Sequence, residues 1–321
     1  MRDTRPAARY HPYGDEGLSR EVLAGLSADP KTIAPKFFYD DRGAWLFEQI
    51  CEQPEYYLTR AELEILERHA GDIAALAGPR CAVVEYGSGA GVKIRLLLDA
   101  LDRPVSYTPV DISRRQLGEV AAALGREYPG IATHPVCADY TRRFDLPRLP
   151  AHDRKIAFFP GSTIGNFHPV HAVSFLQHVR HAVGRRGALV LGVDRRKDTG
   201  ILDAAYNDAV GVTAEFNLNV LEHLNHVLDA DFDPGCFRHV AFFNEQASRV
   251  EMHLESLARQ TVQVAGESIR LAYRERIWTE SSYKYDLDGL EALAAGAGFE
   301  VAQLFTDRGE RFWVAVLVPA V

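Results

Sequence analysis

The chain has 321 residues, 47% of them hydrophobic and 25% charged, which are the proportions of an ordinary globular protein. They exclude disordered, collagen-like and disulfide-stapled miniature classes, and the length asks for one elaborated domain or two. Lys and Arg number 36 against 44 Asp and Glu, and the resulting net charge of −8 makes nucleic acid a poor expected partner.

Four cysteines (Cys51, Cys81, Cys137, Cys236) are scattered without any C-x-x-C pair, which suggests a reducing compartment and neither zinc nor disulfides. The N-terminal stretch MRDTRPAARYHPYGDEG lacks the apolar core of a secretory signal, and no stretch reaches the ~18 apolar residues of a membrane span. A cytoplasmic location is therefore expected.

From Cys81 onward, short apolar runs alternate with stretches of helical period. CAVVEYG (81–87) reads as a buried strand, and GVKIRLLLDAL (91–101) as a helix with Val92, Leu96 and Leu97 on one face. SYTPVDIS (106–113) is a second strand, and the helix RRQLGEVAAALGREYPG ends at Pro129 and Gly130. IATHPVCAD (131–139), KIAFFPGS (155–162) and ALVLGVD (188–194) follow as strands, with PVHAVSFLQHVRHAVG (169–184) a helix between the last two. This alternation predicts a parallel sheet covered on both faces and wound by right-handed crossovers.

After Asp198 the pattern changes. Residues 206–234 are rich in Asn, Asp and His, and RVEMHLESLARQTVQV (249–264) and ESIRLAYRERIWTE (267–280) look like antiparallel strands. DLDGLEALAAGAGF (286–299) is a helix starting near Asp286 or Asp288 and stopping at Gly296 or Gly298. FEVAQLFTD and ERFWVAVLVP form a hairpin through Asp307, Arg308 and Gly309.

The first strand runs into Glu85-Tyr86-Gly87-Ser88-Gly89-Ala90-Gly91, a glycine turn before a helix N-terminus, where backbone can approach a ligand and negative charge is favoured. Its acidic G-x-G-x-G form resembles the cofactor turn of class I S-adenosylmethionine methyltransferases, and the closing hairpin fits the same class. A dehydrogenase would carry G-x-G-x-x-G instead. Asp111 closes the second strand, where a carboxylate can accept ribose hydroxyls, and Ala138-Asp139 closes the third, suited to an adenine edge through a backbone N–H and a carboxylate. Three successive strand ends of this chemistry point to a nucleoside at the switch point of the sheet. Lys93 sits in the first helical turn, where the dipole disfavours a cation, which makes it a candidate for the carboxylate of the cofactor's methionine end.

The fourth strand leads into Pro160-Gly161-Ser162-Thr163-Ile164-Gly165-Asn166-Phe167, a loop whose hydroxyls, carbonyls and amide suit a zwitterion. It lacks the D/N-P-P-Y/F/W pattern of enzymes that methylate base amino groups, so a small amine is the expected acceptor. The twelve histidines include pairs at helical spacing, His178 with His181 and His223 with His226. No third ligand accompanies either pair, and no metal site is expected.

Pro35-Lys36-Phe37-Phe38-Tyr39-Asp40, Pro54-Glu55-Tyr56-Tyr57-Leu58-Thr59-Arg60, Gly161 to Asn166, Lys197-Asp198-Thr199 and Tyr206-Asn207-Asp208 together carry a more specific likeness. The chain resembles the histidine Nα-methyltransferase family of ergothioneine biosynthesis, in order from about Leu23 to the end. The resemblance implies a class I, Rossmann-like methyltransferase sheet with a terminal antiparallel hairpin, plus a smaller α+β substrate-binding domain. The first is expected over residues 62–198 and 285–321, the second over 10–61 and 199–284.

By the same resemblance, S-adenosylmethionine is held by Gly87, Lys93, Asp111, Ala138 and Asp139. Histidine is held by Tyr56, Gly161, Asn166, Tyr206, Met252, Glu280 and Ser282, with Asn166 and Tyr206 at its backbone end and Glu280 and Ser282 on its imidazole. Tyr39 and Asn166 are the expected catalytic residues. Glu280 and Ser282, two apart, share a face if extended, and Met252 is read as a pocket wall. The glycine turn reads Gly-Ala-Gly-Val-Lys where family members carry Thr-Ser-Glu-Lys, with Lys93 still in register.

The implied activity is trimethylation of the α-amine of L-histidine to hercynine. The alternatives are N-methylation of another amino acid, such as a tryptophan derivative, and an inactive nucleoside-binding regulator. The expected partners are L-histidine and its mono- and dimethyl forms, with neither nucleic acid nor membrane, for a chain acting as a monomer.

Overall fold

The structure is a computed structural model and describes residues 9–10, 15–142 and 144–320. It divides into two compact units. One comprises Leu58–Arg196, Lys284–Val321 and the described residues of Met1–His11; the other comprises Lys197–Tyr283 and the described residues of Pro12–Tyr57.

The first unit is built on a sheet whose strands run in the order Arg9–Tyr10, Val136–Cys137, Ser106–Asp111, Cys81–Tyr86, Arg154–Phe159, Ala188–Asp194, Phe312–Pro319, Phe299–Thr306. Strands up to Ala188–Asp194 are parallel, and Phe312–Pro319 is antiparallel to both of its neighbours. Cys81–Tyr86 lies between Ser106–Asp111 on one side and Arg154–Phe159 on the other, so the order reverses at the strand that feeds the glycine turn. Such a reversal opens a crevice at the strand C-termini.

Alternate side chains of the central strands enter cores on opposite faces, as a sheet buried on both sides requires. Tyr86, Phe159, Leu189, Leu191, Val193 and Trp313 pack with Phe175, Leu176 and Leu290 from the helices Pro169–Val183 and Leu287–Gly296. Helices Leu58–Ala77 and Val92–Ala100 pack on one another, the former also against Phe312–Pro319 and Ala188–Asp194. Full burial of a side chain such as Phe158 or Phe159 contributes about 2–3 kcal/mol each.

Three details differ from expectation. The third strand is two short pieces, Ala132–Thr133 and Val136–Cys137, because Pro135 between them has no N–H for the ladder. The buried face of Val92–Ala100 is Ile94, Leu97 and Leu98; Val92 is more than half exposed, since at the first turn the chain is still emerging from the glycine bend. Arg9–Tyr10 pair with Val136–Cys137, so residue 10 falls with the sheet unit, as do 58–61 and 284, while 197–198 fall with the other.

The second unit holds a sheet in the order Lys31–Thr32, Arg276–Tyr283, Arg249–Ser256, Phe237–Asn244, and the hairpin Gln260–Val264 with Glu267–Leu271. Its longest helix, Val212–Leu228, packs on Asp41–Glu52, Phe237–Asn244 and Arg249–Ser256. Asp40 caps Asp41–Glu52 by accepting from Gly43 N at 2.7 Å, and the buried Asn219 donates to the same Asp40 oxygen at 2.8 Å. Among the described residues, no helix is long and apolar enough to cross a membrane, and the four cysteines are unbridged.

Candidate functional site

In the sheet unit, the glycine turn takes left-handed backbone at Gly87 (φ 71°), Gly89 (45°) and Gly91 (69°). Two of these glycines have different causes. A Cβ on Gly91 would meet Val120 Cγ1 at 2.8 Å, so packing of the helix Arg114–Glu127 demands its absence. A Cβ on Gly89 would meet nothing within 4 Å, so open space remains where a ligand's backbone grip is expected.

Gly89 N donates to Asp111 Oδ2 at 3.2 Å, and Ser113 N donates to Oδ1 at 3.0 Å. Burial pushes the Asp111 carboxyl up, while these backbone donors act against the shift. The carboxylate stands at the C-terminal end of its strand, where ribose hydroxyls can be accepted. Ala138 N donates to Asp111 O at 3.0 Å, so the backbone N–H expected to meet the adenine edge is not Ala138's own. Asp139 Oδ1 accepts from Thr141 N at 2.9 Å, which curls the chain beyond that strand end. Beneath the turn, burial raises the Glu85 carboxyl to about 8, and Tyr107 Oη donates to it. This donor set of glycine backbone, carboxylate at the strand end and nearby ammonium fits a nucleoside carrying an amino-acid tail.

Lys93 is no solvated surface lysine. Its Nζ donates to Glu62 Oε2 at 2.6 Å, and the same oxygen accepts from Gly161 N at 2.8 Å. Gly161 (φ 78°) and Ser162 (φ 57°) are both left-handed, and Ser162 Oγ accepts from Asp194 N at 2.9 Å. The loop then closes in the short turn Thr163–Asn166, which presents Asn166 half-buried at its end.

In the second unit, Tyr39, Tyr56, Tyr206, Met252, Glu280 and Ser282 are all present. Met252 pairs with Glu280 and Val250 with Ser282 across adjacent strands, which puts Met252, Glu280 and Ser282 on one face. Thr279 is the extra residue of a bulge between the pairs Met252–Glu280 and His253–Trp278. Tyr206 Oη donates to Ser282 Oγ at 2.8 Å, and the Tyr56 ring meets the Tyr206 ring edge-on at 6.2 Å. Burial raises the Tyr56 hydroxyl well above its ordinary value, with Tyr206 and Glu280 adding to it. Tyr39 packs edge-on against Phe47 at 5.9 Å and Phe216 at 6.0 Å.

Behind these residues runs a hydrogen-bond chain with a definite direction. His239 Nε2 lies 3.0 Å from Tyr206 O, a carbonyl, so this nitrogen carries the proton. Its Nδ1 then accepts from Asn217 Nδ2 at 2.9 Å, while Asn217 Oδ1 accepts from Thr279 Oγ1 at 2.7 Å. Asn217 Nδ2 also donates to His253 O at 3.0 Å, using its second hydrogen. Burial lowers the His239 pKa, consistent with a neutral imidazole.

Sequence reasoning missed Glu62, Asn217 and His239. The signal for Glu62 was available: Leu58, Ala61, Ile65 and Leu66 flank it on one helical stripe, an odd place for an acid. Of the paired histidines, His223 Nδ1 bonds Phe37 O at 2.7 Å, while His226, His178 and His181 are exposed. No cluster of three or more metal-binding side chains occurs among the described residues.

Residues 18–319 match the family described as histidine-specific methyltransferase, SAM-dependent. The chain is 41% identical over 308 residues to histidine N-alpha-methyltransferase of Mycolicibacterium smegmatis, covering 94% of this chain and 95% of the relative. It is 33% identical to ergothioneine biosynthesis protein 1 of Neurospora crassa, over 86% of this chain and 32% of that longer protein. It is 26% identical to 4-dimethylallyltryptophan N-methyltransferase of Claviceps purpurea, over 92% and 93%. With a glycine turn, a strand-end carboxylate and a match over nearly its whole length, the chain belongs to the family of SAM-dependent, histidine-specific methyltransferases.

Proposed function

We propose that the protein methylates the α-amine of L-histidine three times to give hercynine, a step of ergothioneine biosynthesis, with S-adenosylmethionine as donor. The observation that carries the histidine assignment is the arrangement of Glu280 and Ser282, buried two residues apart on one strand face beside Met252, with Tyr206 Oη donating to Ser282. Ser282, held by Tyr206, presents a hydroxyl to one imidazole nitrogen, while Glu280 accepts from the opposite N–H. A neutral imidazole, one donor and one acceptor, is the ring this pair reads.

Tyr206, having donated to Ser282, is an acceptor toward anything else, which suits the hydrogens of an amine; Gly161, its N–H engaged by Glu62, adds a carbonyl for the same amine, and Asn166 donates to the carboxylate end. Bound S-adenosylmethionine supplies a sulfonium methyl group. Gly87, Gly89, Asp111, Ala138 and Asp139 position its nucleoside, and Lys93 its carboxylate. The attacking amine must be neutral, because an ammonium has no lone pair, and its orientation contributes much of the rate. Tyr39, protonated below its ordinary pKa of ~10, relays the proton that leaves it, passing its own hydroxyl hydrogen on to water as it takes up that of the amine. The same reading takes the protein as a cytoplasmic monomer acting on small molecules, with neither nucleic acid nor membrane as partner; the net charge of −8 supports it.

The test is Glu280→Ala in a steady-state assay. Loss of a buried, charge-assisted hydrogen bond of about 1.5–3 kcal/mol raises the histidine KM roughly 10- to 150-fold, with the S-adenosylmethionine KM within about twofold. Equal effects on both constants contradict the imidazole role.

A further inference from the structure

Glu62 lies in the apolar stripe of the helix Leu58–Ala77 and is fully buried. A leucine there would complete the stripe, and an isolated carboxylate in such a place is strongly disfavoured unless paired. Its Oε2 accepts from two donors, Lys93 Nζ at 2.6 Å and Gly161 N at 2.8 Å. Its Oε1 is buried with no hydrogen-bond partner among the described residues and lies against the strand Ala188–Asp194, where a Cβ on Gly192 would sit 2.2 Å from it. The strand has thus been thinned at one position to admit this carboxylate.

The two groups on Oε2 belong to different ligands in the proposed function, Lys93 to the cofactor's carboxylate and Gly161 to the amino acid. We infer that Glu62 is a positioning residue for the methyl transfer, fastening the Lys93 ammonium and the Gly161 backbone to one buried oxygen so that cofactor and acceptor sites keep a fixed register. The inference rests on the proposed roles of Lys93 and Gly161. Glu62 takes one of the three N–H groups of Lys93 and so directs the other two. It also stabilises a cation at a helix N-terminus, where the dipole opposes one. At Gly161 it anchors the start of a loop whose next residue, Ser162, is held by Asp194 N on its Oγ and Gly165 N on its carbonyl, both Gly161 and Ser162 being left-handed.

The experiment is a double-mutant cycle of Glu62→Gln, Lys93→Met and the double variant. It reads the Kd of S-adenosylhomocysteine by calorimetry, the histidine KM and kcat, and the melting temperature. Lys93→Met is expected to weaken S-adenosylhomocysteine about tenfold, and Glu62→Gln similarly while also raising the histidine KM. The double variant is expected to lose no more cofactor affinity than the worse single one, because both changes break one contact. A merely structural defect lowers the active fraction, and hence kcat, without moving either constant. If Glu62→Gln does not fold, Glu62→Asp keeps the charge drawn back by one methylene and is read in its place. Lys93→Met without effect on S-adenosylhomocysteine overturns the proposed role of Lys93 and this inference with it. Lys93→Met with effect and Glu62→Gln without, or strictly additive losses, overturns the role of Glu62 alone.

Discussion

Where the sheet unit prepares for a ligand it uses mostly main chain: left-handed glycines at 87 and 89, and a carboxylate at Asp111 whose two oxygens are set by Gly89 N and Ser113 N. The other unit uses side chains: Ser282 Oγ is held by Tyr206 Oη, and the Tyr206 backbone carbonyl by His239, whose Nδ1 is held in turn by Asn217. Main-chain sites follow from topology and serve any acceptor; side-chain sites can be exchanged one residue at a time to suit a new one.

The comparison breaks if a change at the nucleoside end of the main-chain site, away from the Glu62 tie between Lys93 and Gly161, disturbs both ligands. Asp111→Ala strands the Gly89 and Ser113 N–H groups and removes the proposed ribose acceptor, at about 1–3 kcal/mol per unsatisfied group. The Kd for S-adenosylhomocysteine should rise roughly 100-fold with the histidine KM within a few-fold; a matching rise in the latter would argue against separate sites.

A smaller effect sharpens the side-chain half. The His239 pKa is lowered in the folded chain from its ordinary 6.5, so below about pH 6.5 the unfolded chain takes up a proton that the native one resists. Stability is then full above that pH and falls as pH drops toward the folded value, by at most ~1.4 kcal/mol per pH unit for one group. His253 and His134 shift in the same direction, so the share of His239 is what disappears in His239→Gln. Melting temperatures of both proteins between pH 7.5 and 5.5 check this, and parallel curves would remove His239 from the account.

Legibility from sequence follows the same divide. The glycine turn, Asp111 and the alternating strands were readable because main-chain sites recur at fixed spacing. The helix Val212–Leu228 was not, since Asn217 and Asn219 are fully or nearly buried and interrupt its apolar face with residues that look like loop. Their partners, Thr279 and Asp40, lie far away in the chain, where no local pattern reaches. The burial of Glu62 was legible from the apolar stripe around it, but its partners Lys93 and Gly161 were not, since they lie far along the chain.

The most direct test of the histidine assignment is methyl transfer from labelled S-adenosylmethionine to each of the twenty amino acids, with product masses recorded. The account predicts L-histidine as the preferred acceptor, carried to a product heavier by three methyl groups. Preferred labelling of tryptophan or tyrosine, or no labelling at all, would contradict it.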